Sequence, residues 1–160
     1  MIIREFKPGD TRAVRDLLVA AFPTAAEADL VEQLRADGHG AIELISEGHG
    51  GVTGHILFSP MEAPFSALAL APVAVTPGRQ GVGVGTALIE AGHELAVDRG
   101  WDAVFVLGEP AYYGRFGYSA EAAARFESPY AGPYFLILPL AQLTSASGLL
   151  RHARAFAALG

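Results

Sequence analysis

Apolar and polar positions change period several times along the chain, and the changes mark out its elements. Met1 to Phe6 reads as a first strand, closed by the turn Lys7-Pro8-Gly9-Asp10. Asp10 is then placed to cap a helix, Asp10 to Phe22, in which Val14, Leu17, Leu18 and Ala21 follow helical spacing until Pro23 stops it. Thr24 and Glu27 have capping-box spacing at the head of a second helix, Thr24 to Asp37. Leu30, Val31 and Leu34 are its buried face, and Gly38 is its left-handed stop. Two strand-like runs follow, Ala41 to Ser46 and Val52 to Ser59, joined by the glycine-rich turn Glu47-Gly48-His49-Gly50-Gly51. The next run, Ser66 to Val75, is almost wholly apolar, as in a central strand covered on both faces. Pro72 lies inside it and lacks the N–H a ladder needs, so pairing should break or bulge there. A loop from Pro77 to Gly85 leads into a helix that ends at Arg99-Gly100, with Val84, Leu88, Ala91 and Leu95 on one side. Ala103 to Leu107 is a short apolar strand, Pro110 opens a short helix, and Tyr134 to Leu138 is a late strand. Ser119 to Ser128 reads both ways, since its alanines favour helix and its neighbours suggest sheet.

The order is strand, two helices, antiparallel strands, helix, strand, helix, strand. It predicts an α+β fold around one mixed sheet, and the lack of strict alternation counts against a doubly wound one. With 160 residues and no repeat or linker-like tract, one domain over residues 1–160 is expected. Hydrophobic residues make up 51% and charged residues 18%, which excludes a disordered chain. The longest apolar stretch, Ala67 to Val75, is far short of the roughly 20 residues of a membrane span. Met1-Ile2-Ile3-Arg4-Glu5 lacks the basic head and apolar run of a signal peptide, so a cytoplasmic location is expected. The formal net charge is −6 and no basic run occurs, a poor endowment for gripping nucleic acid phosphates. The absence of cysteine removes disulfides, thiolate metal sites and a cysteine nucleophile. Lys7 is the only lysine and precedes every glycine loop, which removes the P-loop.

Chemistry concentrates in Val73-Ala74-Val75-Thr76-Pro77-Gly78-Arg79-Gln80-Gly81-Val82-Gly83-Val84-Gly85-Thr86. A buried strand here feeds a glycine-rich turn and then a helix, whose first backbone N–H groups have no partner within the helix. Gly81, Gly83 and Gly85 let a ligand approach the main chain closely, and the helix dipole adds about half a positive charge. Arg79 places a formal charge beside them. The result is an anion cradle suited to a pyrophosphate. A dinucleotide fingerprint would need G-x-G-x-x-G, but Gly81 and Gly83 are followed by Thr86, and Gly83 and Gly85 by Leu88. A tight strand-to-helix connection that binds nothing is the purely structural reading.

Gln80-Gly81-Val82-Gly83-Val84-Gly85 matches the Q/R-x-x-G-x-G/A signature of the GCN5-related N-acetyltransferase (GNAT) superfamily. Ala111-Tyr112-Tyr113-Gly114-Arg115-Phe116-Gly117-Tyr118 resembles that family's F/Y-Y-x-x-x-G-F/Y segment. The two lie in the family's order, a helix and a strand apart. The similarity covers most of the chain and is nearest to a bacterial subgroup of predicted N-acetyltransferases with a Tyr-Tyr-x-x-Phe-Gly segment. The resemblance implies a mostly antiparallel sheet with helices on both faces and a splayed central strand pair. It also implies acetyl-CoA as co-substrate, with no metal. Its pantetheine arm would pair with the main chain of Val73, Ala74 and Val75, and its pyrophosphate would lie on the amides of Gln80 to Thr86, beside Arg79. The thioester would enter between that strand and Ala103 to Leu107, with main-chain N–H near Val75 meeting the oxyanion.

Acyl transfer from a thioester to an amine needs a neutral amine, oxyanion stabilisation and a proton for the departing thiolate. By position Tyr113 resembles the family's general acid; the alternative is an aromatic core plug. Tyr112 is expected to pack on the cofactor or the core, and Phe116 and Tyr118 in the core. Many members carry a glutamate on the central strand, but Ser66 to Val75 holds no carboxylate, leaving Glu62 and Glu109 as the nearest candidates for a base. Either is more often a solvated surface charge, and a water chain is the other route. His39, His49, His55, His93 and His152 lack metal spacing. His93 reads as a surface or boundary residue and His55 as an ordinary half-buried one.

The leading expectation is an acyltransferase that moves an acetyl group from acetyl-CoA to a primary amine of a small molecule or protein. A non-catalytic acyl-CoA-binding sensor or partner module is the alternative, and a nucleotide-binding domain a third that fails on spacing. The exposed face of the first two helices mixes Arg12, Arg15, Arg35, Glu27, Asp29 and Glu32, so no acceptor charge emerges. The tail Leu149 to Leu159 offers apolar residues to the domain or to a second subunit of a homodimer.

Overall fold

Strand β1 (Ile2–Glu5) pairs antiparallel with β2 (Ile42–Gly48), which forms a hairpin with β3 (Gly51–Met61) and then meets β4 (Ala67–Val75). β5 (Ala103–Leu107) runs parallel to β4. A two-residue strand β6 (Phe126–Glu127) leaves the sheet, β7 (Phe135–Pro139) lies antiparallel to β5, and β8 (Gly148–Leu149) pairs with β6. The six-stranded order is β1-β2-β3-β4-β5-β7, with β4–β5 as its one parallel pair among the described residues. Those residues are 1–159 of a computed structural model. Helices α1 (Thr11–Ala21) and α2 (Ala26–Ala36), with a carboxyl-terminal 3-10 turn at Arg154–Leu159, cover one face. Helix α3 (Val84–Asp98) covers the other. The mixed, mostly antiparallel sheet with helices on both faces is therefore the observed fold.

Strand β4 is apolar on both sides because it serves two cores. Ala67, Ala69 and Ala71 face α1 and α2, while Leu68 and Leu70 face α3. Past Pro72 the parity reverses: Ala74 faces α1 and α2, and Val73 and Val75 face α3. One extra residue in β4 accounts for this. Ile56 of β3 pairs with Val73 and Phe58 with Leu70, so three steps on β4 match two on β3. The Pro72 bulge thus flips every later side chain to the opposite face, as a one-residue slip must. The Ala71–Pro72 peptide is cis.

Close packing of α3 on the sheet is bought with glycines. A methyl group on Gly92 would overlap the ring of Phe58, which is fully buried and cannot swing away. One on Gly54 of β3 would lie 2.8 Å from Leu88 Cδ1 and 2.9 Å from Val84 Cγ1.

Several local expectations are corrected, and two that were open are resolved. Asp10 belongs to a 3-10 turn and does not cap α1 with its side chain. Its carboxylate instead accepts two 2.8 Å hydrogen bonds from the Arg4 guanidinium and one from the Lys7 N–H. Thr24 Oγ1 accepts from Ala26 N–H, but α2 begins at Ala26 with Ala25 at its cap. Ser119 to Ser128 holds both elements: helix α5 (Ala120–Ala123), capped by Ser119, then β6. His55 is fully buried, and its Nε2 meets Glu43 Oε2 at 2.7 Å. Arg35 is not on an open face but binds the same carboxylate through Nε and Nη2. Burial pushes the Glu43 carboxyl up, and His55 and Arg35 together hold it below its usual value. The tail packs on its own chain, with Leu150, Ala155 and Phe156 in the core beneath α1 and α2.

Gly92→Ala is expected to destabilise the fold in urea titrations. Overpacking costs about 1–3 kcal/mol, more than the ~1 kcal/mol that alanine gains over glycine in a helix. A raised midpoint would contradict the packing account. The paired hydrogen bonds of Arg4 hold Asp10 down to about 2. The stability this contributes is fully present above the ordinary Asp value of about 4 and is lost as pH falls towards 2. Arg4→Met should flatten stability against pH in that window, measured by denaturation at each pH.

Candidate active site

Strands β4 and β5 stay paired only from Ala67–Ala103 to Leu70–Val106. Beyond Val106, β5 remains with β7 through Leu107–Phe135, and Gly108 N–H reaches the Tyr134 carbonyl. β4 remains with β3 through Val73, Ala74 and Val75. The two middle strands therefore part at the Pro72 bulge, and the second edge of Val73 to Val75 faces no strand. The gap opens into a cleft of about 380 Å³ lined by Ala69 to Val73, Phe105 to Leu107 and Tyr113.

At the carboxyl end of β4 the chain makes the glycine loop. Thr76 N–H bonds to the Thr53 carbonyl and Arg79 N–H to the Thr76 carbonyl. Gln80 turns its side chain back, Nε2 donating to the Val75 carbonyl at 3.1 Å. Gly78, Gly81 and Gly83 have φ of 91°, 81° and 89°, a region that favours glycine. Helix α3 starts at Val84, and Ala87 N–H to the Gly83 carbonyl is the first bond of its ladder. The N–H groups of Gly83, Val84, Gly85 and Thr86 precede that ladder and lack helical acceptors. Arg79, Gln80, Gly81 and Val82 are exposed around them. Open space lies where a Cβ would stand on Gly78, Gly81 or Gly83, and free N–H groups at a helix start are a general anion-binding arrangement.

Tyr113 closes the short helix α4 (Pro110–Tyr113), which Pro110 starts. It is 8% exposed, and burial pushes its phenol up to about 12. Its ring lies against Gly108, where a methyl group would overlap the ring carbons. Tyr112 stands edge-on to it at 5.1 Å, and the Tyr112 hydroxyl shares a 3.1 Å hydrogen bond with Thr86 Oγ1 of α3. The second motif is thereby tied to the first. Tyr118 is buried and hydrogen-bonded to His93 Nε2 at 2.8 Å, which places His93 at the boundary of the α3 core.

The carboxylates named from sequence do not meet the cleft. Glu62 pairs with Arg151 across the β-bridge at the sheet margin, its side chain 82% exposed, and Glu109 is exposed at the cap of α4. The acidic side chain that lines the cleft is Glu27, from the first turn of α2. Its spacing from Thr24 reads as a capping box on a mixed surface. The signal was present, since residues 27, 30, 31 and 34 share one helical face and the last three are core. His152 lines the same cleft. Among the described residues no group of three His, Asp or Glu is placed to hold a metal ion.

Residues 11–118 match the acetyltransferase (GNAT) family. The uncharacterized N-acetyltransferase YjhQ of Escherichia coli K12 is 38% identical over 133 residues, covering 78% of this chain and 73% of that protein. Among solved structures, the GNAT-family N-acetyltransferase YhbS of Escherichia coli, in complex with CoA, aligns with a TM-score of 0.91 and 32% identity. That match covers 99% of this chain and 93% of the other. A GNAT-family acetyltransferase from Brucella melitensis, in complex with acetyl-CoA, aligns with a TM-score of 0.82 and 31% identity over 97% of each chain. The chain belongs to the acetyltransferase (GNAT) family.

Because burial raises the Tyr113 phenol, it should stay protonated through neutral and mildly alkaline pH. The ultraviolet difference titration between the parent protein and Tyr113→Phe should place this residue's ionisation well above the ordinary tyrosine value, towards about 12. Ionisation near the ordinary value of about 10 would show an open, solvated hydroxyl instead.

Proposed function

We propose that this protein transfers an acetyl group from acetyl-CoA to a primary amine by direct attack of the amine on the thioester. The observation that carries the reading is the parting of β4 from β5 beside the glycine loop, with Tyr113 on the wall of the same cleft. Two relatives of the same fold are solved with CoA or acetyl-CoA, which supports the same ligand here.

The unpaired edge of Val73, Ala74 and Val75 offers main-chain groups to the pantetheine arm as an added strand would. The N–H groups from Gln80 through Gly81, Val82, Gly83, Val84, Gly85 and Thr86 receive the pyrophosphate, with Arg79 adding charge. Bound there, acetyl-CoA supplies an activated acyl carbon. Tyr113, protonated at neutral pH, gives its proton to the departing sulfur. A protein that held acyl-CoA without transferring it would also suit a β4 with no carboxylate, and thiol release separates the two readings.

Tyr113→Phe is expected to lower kcat by about 10²–10⁴-fold, as loss of a general acid does, with acetyl-CoA affinity unchanged by calorimetry. Undiminished turnover in the variant would remove Tyr113 from the chemistry. Binding without amine-dependent thiol release across a broad amine panel would favour the sensor.

A further inference from the structure

The cleft carries chemistry that the acetyl donor leaves unused. Besides Tyr113 and the parted strands its walls include Phe22, Leu30, Tyr130 and Phe156, and two polar side chains, Glu27 and His152, stand among them. Glu27 Oε1 and His152 Nδ1 are shut off from solvent, and neither has a hydrogen-bond partner among the described residues. Buried polar atoms are rarely left unpaired, so two such side chains on the wall of one cavity mark it as a place for a polar ligand group.

The segments that carry the two side chains are held from outside the cleft. The far end of α2 is fixed by Arg35 on Glu43, and just beyond it Asp37 binds Arg154 of the tail at 3.0 Å. The His152 ring stands edge-on to Tyr130 at 4.7 Å and to Phe156 at 5.4 Å. This burial lowers the imidazole to about 4, so it is neutral at pH 7. Among the described residues no Lys or Arg lines the cleft, and Glu27 is its one acidic side chain. A single carboxylate among aromatic walls suits one ammonium group on a compact apolar body, whereas a polycation would need several acids. The volume, about 380 Å³, is at the small end of ligand pockets.

Resting on the acetyltransferase reading above, we propose that Glu27 and His152 form the acceptor subsite, that the acceptor is a small primary monoamine with an apolar or aromatic body, and that Glu27 is the base. The Glu27 carboxylate takes one proton from the ammonium group and frees the nitrogen lone pair, while the His152 imidazole makes the second polar contact to that nitrogen. The nitrogen bonds to the acyl carbon as the carbon–sulfur bond breaks. Sulfur leaves with its bonding pair and takes the Tyr113 proton, and the second nitrogen proton restores Tyr113. Glu27 returns its proton to water, so the products are an amide, a thiol and one proton.

The test uses the full chain with saturating acetyl-CoA and three probes: 2-phenylethylamine, spermidine and a lysine-containing peptide. 2-Phenylethylamine should lead in kcat/KM by about tenfold or more, and Glu27→Gln should lower that value by about 10²-fold or more. A merely structural Glu27 is separated by binding. Glu27→Gln should lose affinity for 2-phenylethylamine yet bind its neutral N-acetyl product, and acetyl-CoA, as the parent does. His152→Gln should raise KM for the amine with acetyl-CoA affinity intact. Full activity in Glu27→Gln, or preference for spermidine or the peptide while acetyl-CoA binds, overturns the subsite alone. Failure to bind acetyl-CoA overturns the acetyltransferase reading and the subsite with it.

Discussion

Strand β5 can keep only one of its two neighbours along its whole length, and it keeps β7. Its pairing with β4 stops at Leu70–Val106, where β4 takes in its extra residue around Pro72. That insertion lets β4 stay with β3 while drawing away from β5, and it reverses which side chains face α3. Everything functional in the account lies beside this parting. The glycine loop continues β4, Tyr113 follows β5, and the cleft is the space between. A β4 without its extra residue would put Val73 and Val75 on the α1–α2 face and carry the loop with them.

The parting is useful only if its surroundings are rigid, and the polar interior supplies part of that rigidity. Arg35, Glu43 and His55 join α2 to β2 and β3 through a carboxylate that is 8% exposed. The cost of removing both charges from water offsets most of what such an ion pair adds to stability. Here the pair sets the position of α2, whose first turn carries Glu27 into the cleft. On the opposite face Gly54 and Gly92 let α3 lie close on the sheet, which sets the height of the helix start that meets the loop. Thr86 then ties that start to Tyr112.

Much of this was legible in the residue order. The apolar run with a proline inside it marked β4 and its irregularity, and three alternating glycines ahead of a helical pattern marked the loop. Pro110 and the paired tyrosines marked α4. What escaped depends on partners distant in sequence. Asp10 looks like a helix cap until Arg4 is seen beside it, and His55 looks half-buried until Glu43 is placed across the hairpin. Glu27 was hidden differently, since its spacing to Leu30, Val31 and Leu34 put it on the core face. A charged residue there reads as surface unless the core beneath it is known to be open. The two-residue strands β6 and β8 are too short to carry any period.

The central claim is that the parted edge of β4 and the loop that follows it receive acetyl-CoA. Amide hydrogen exchange with and without acetyl-CoA, resolved to short segments, tests it most directly. Slowed exchange is expected in residues 73–75 and 80–86, with β1 and β2 unchanged. Binding that protects other segments and leaves these two as they are in the free protein would contradict it.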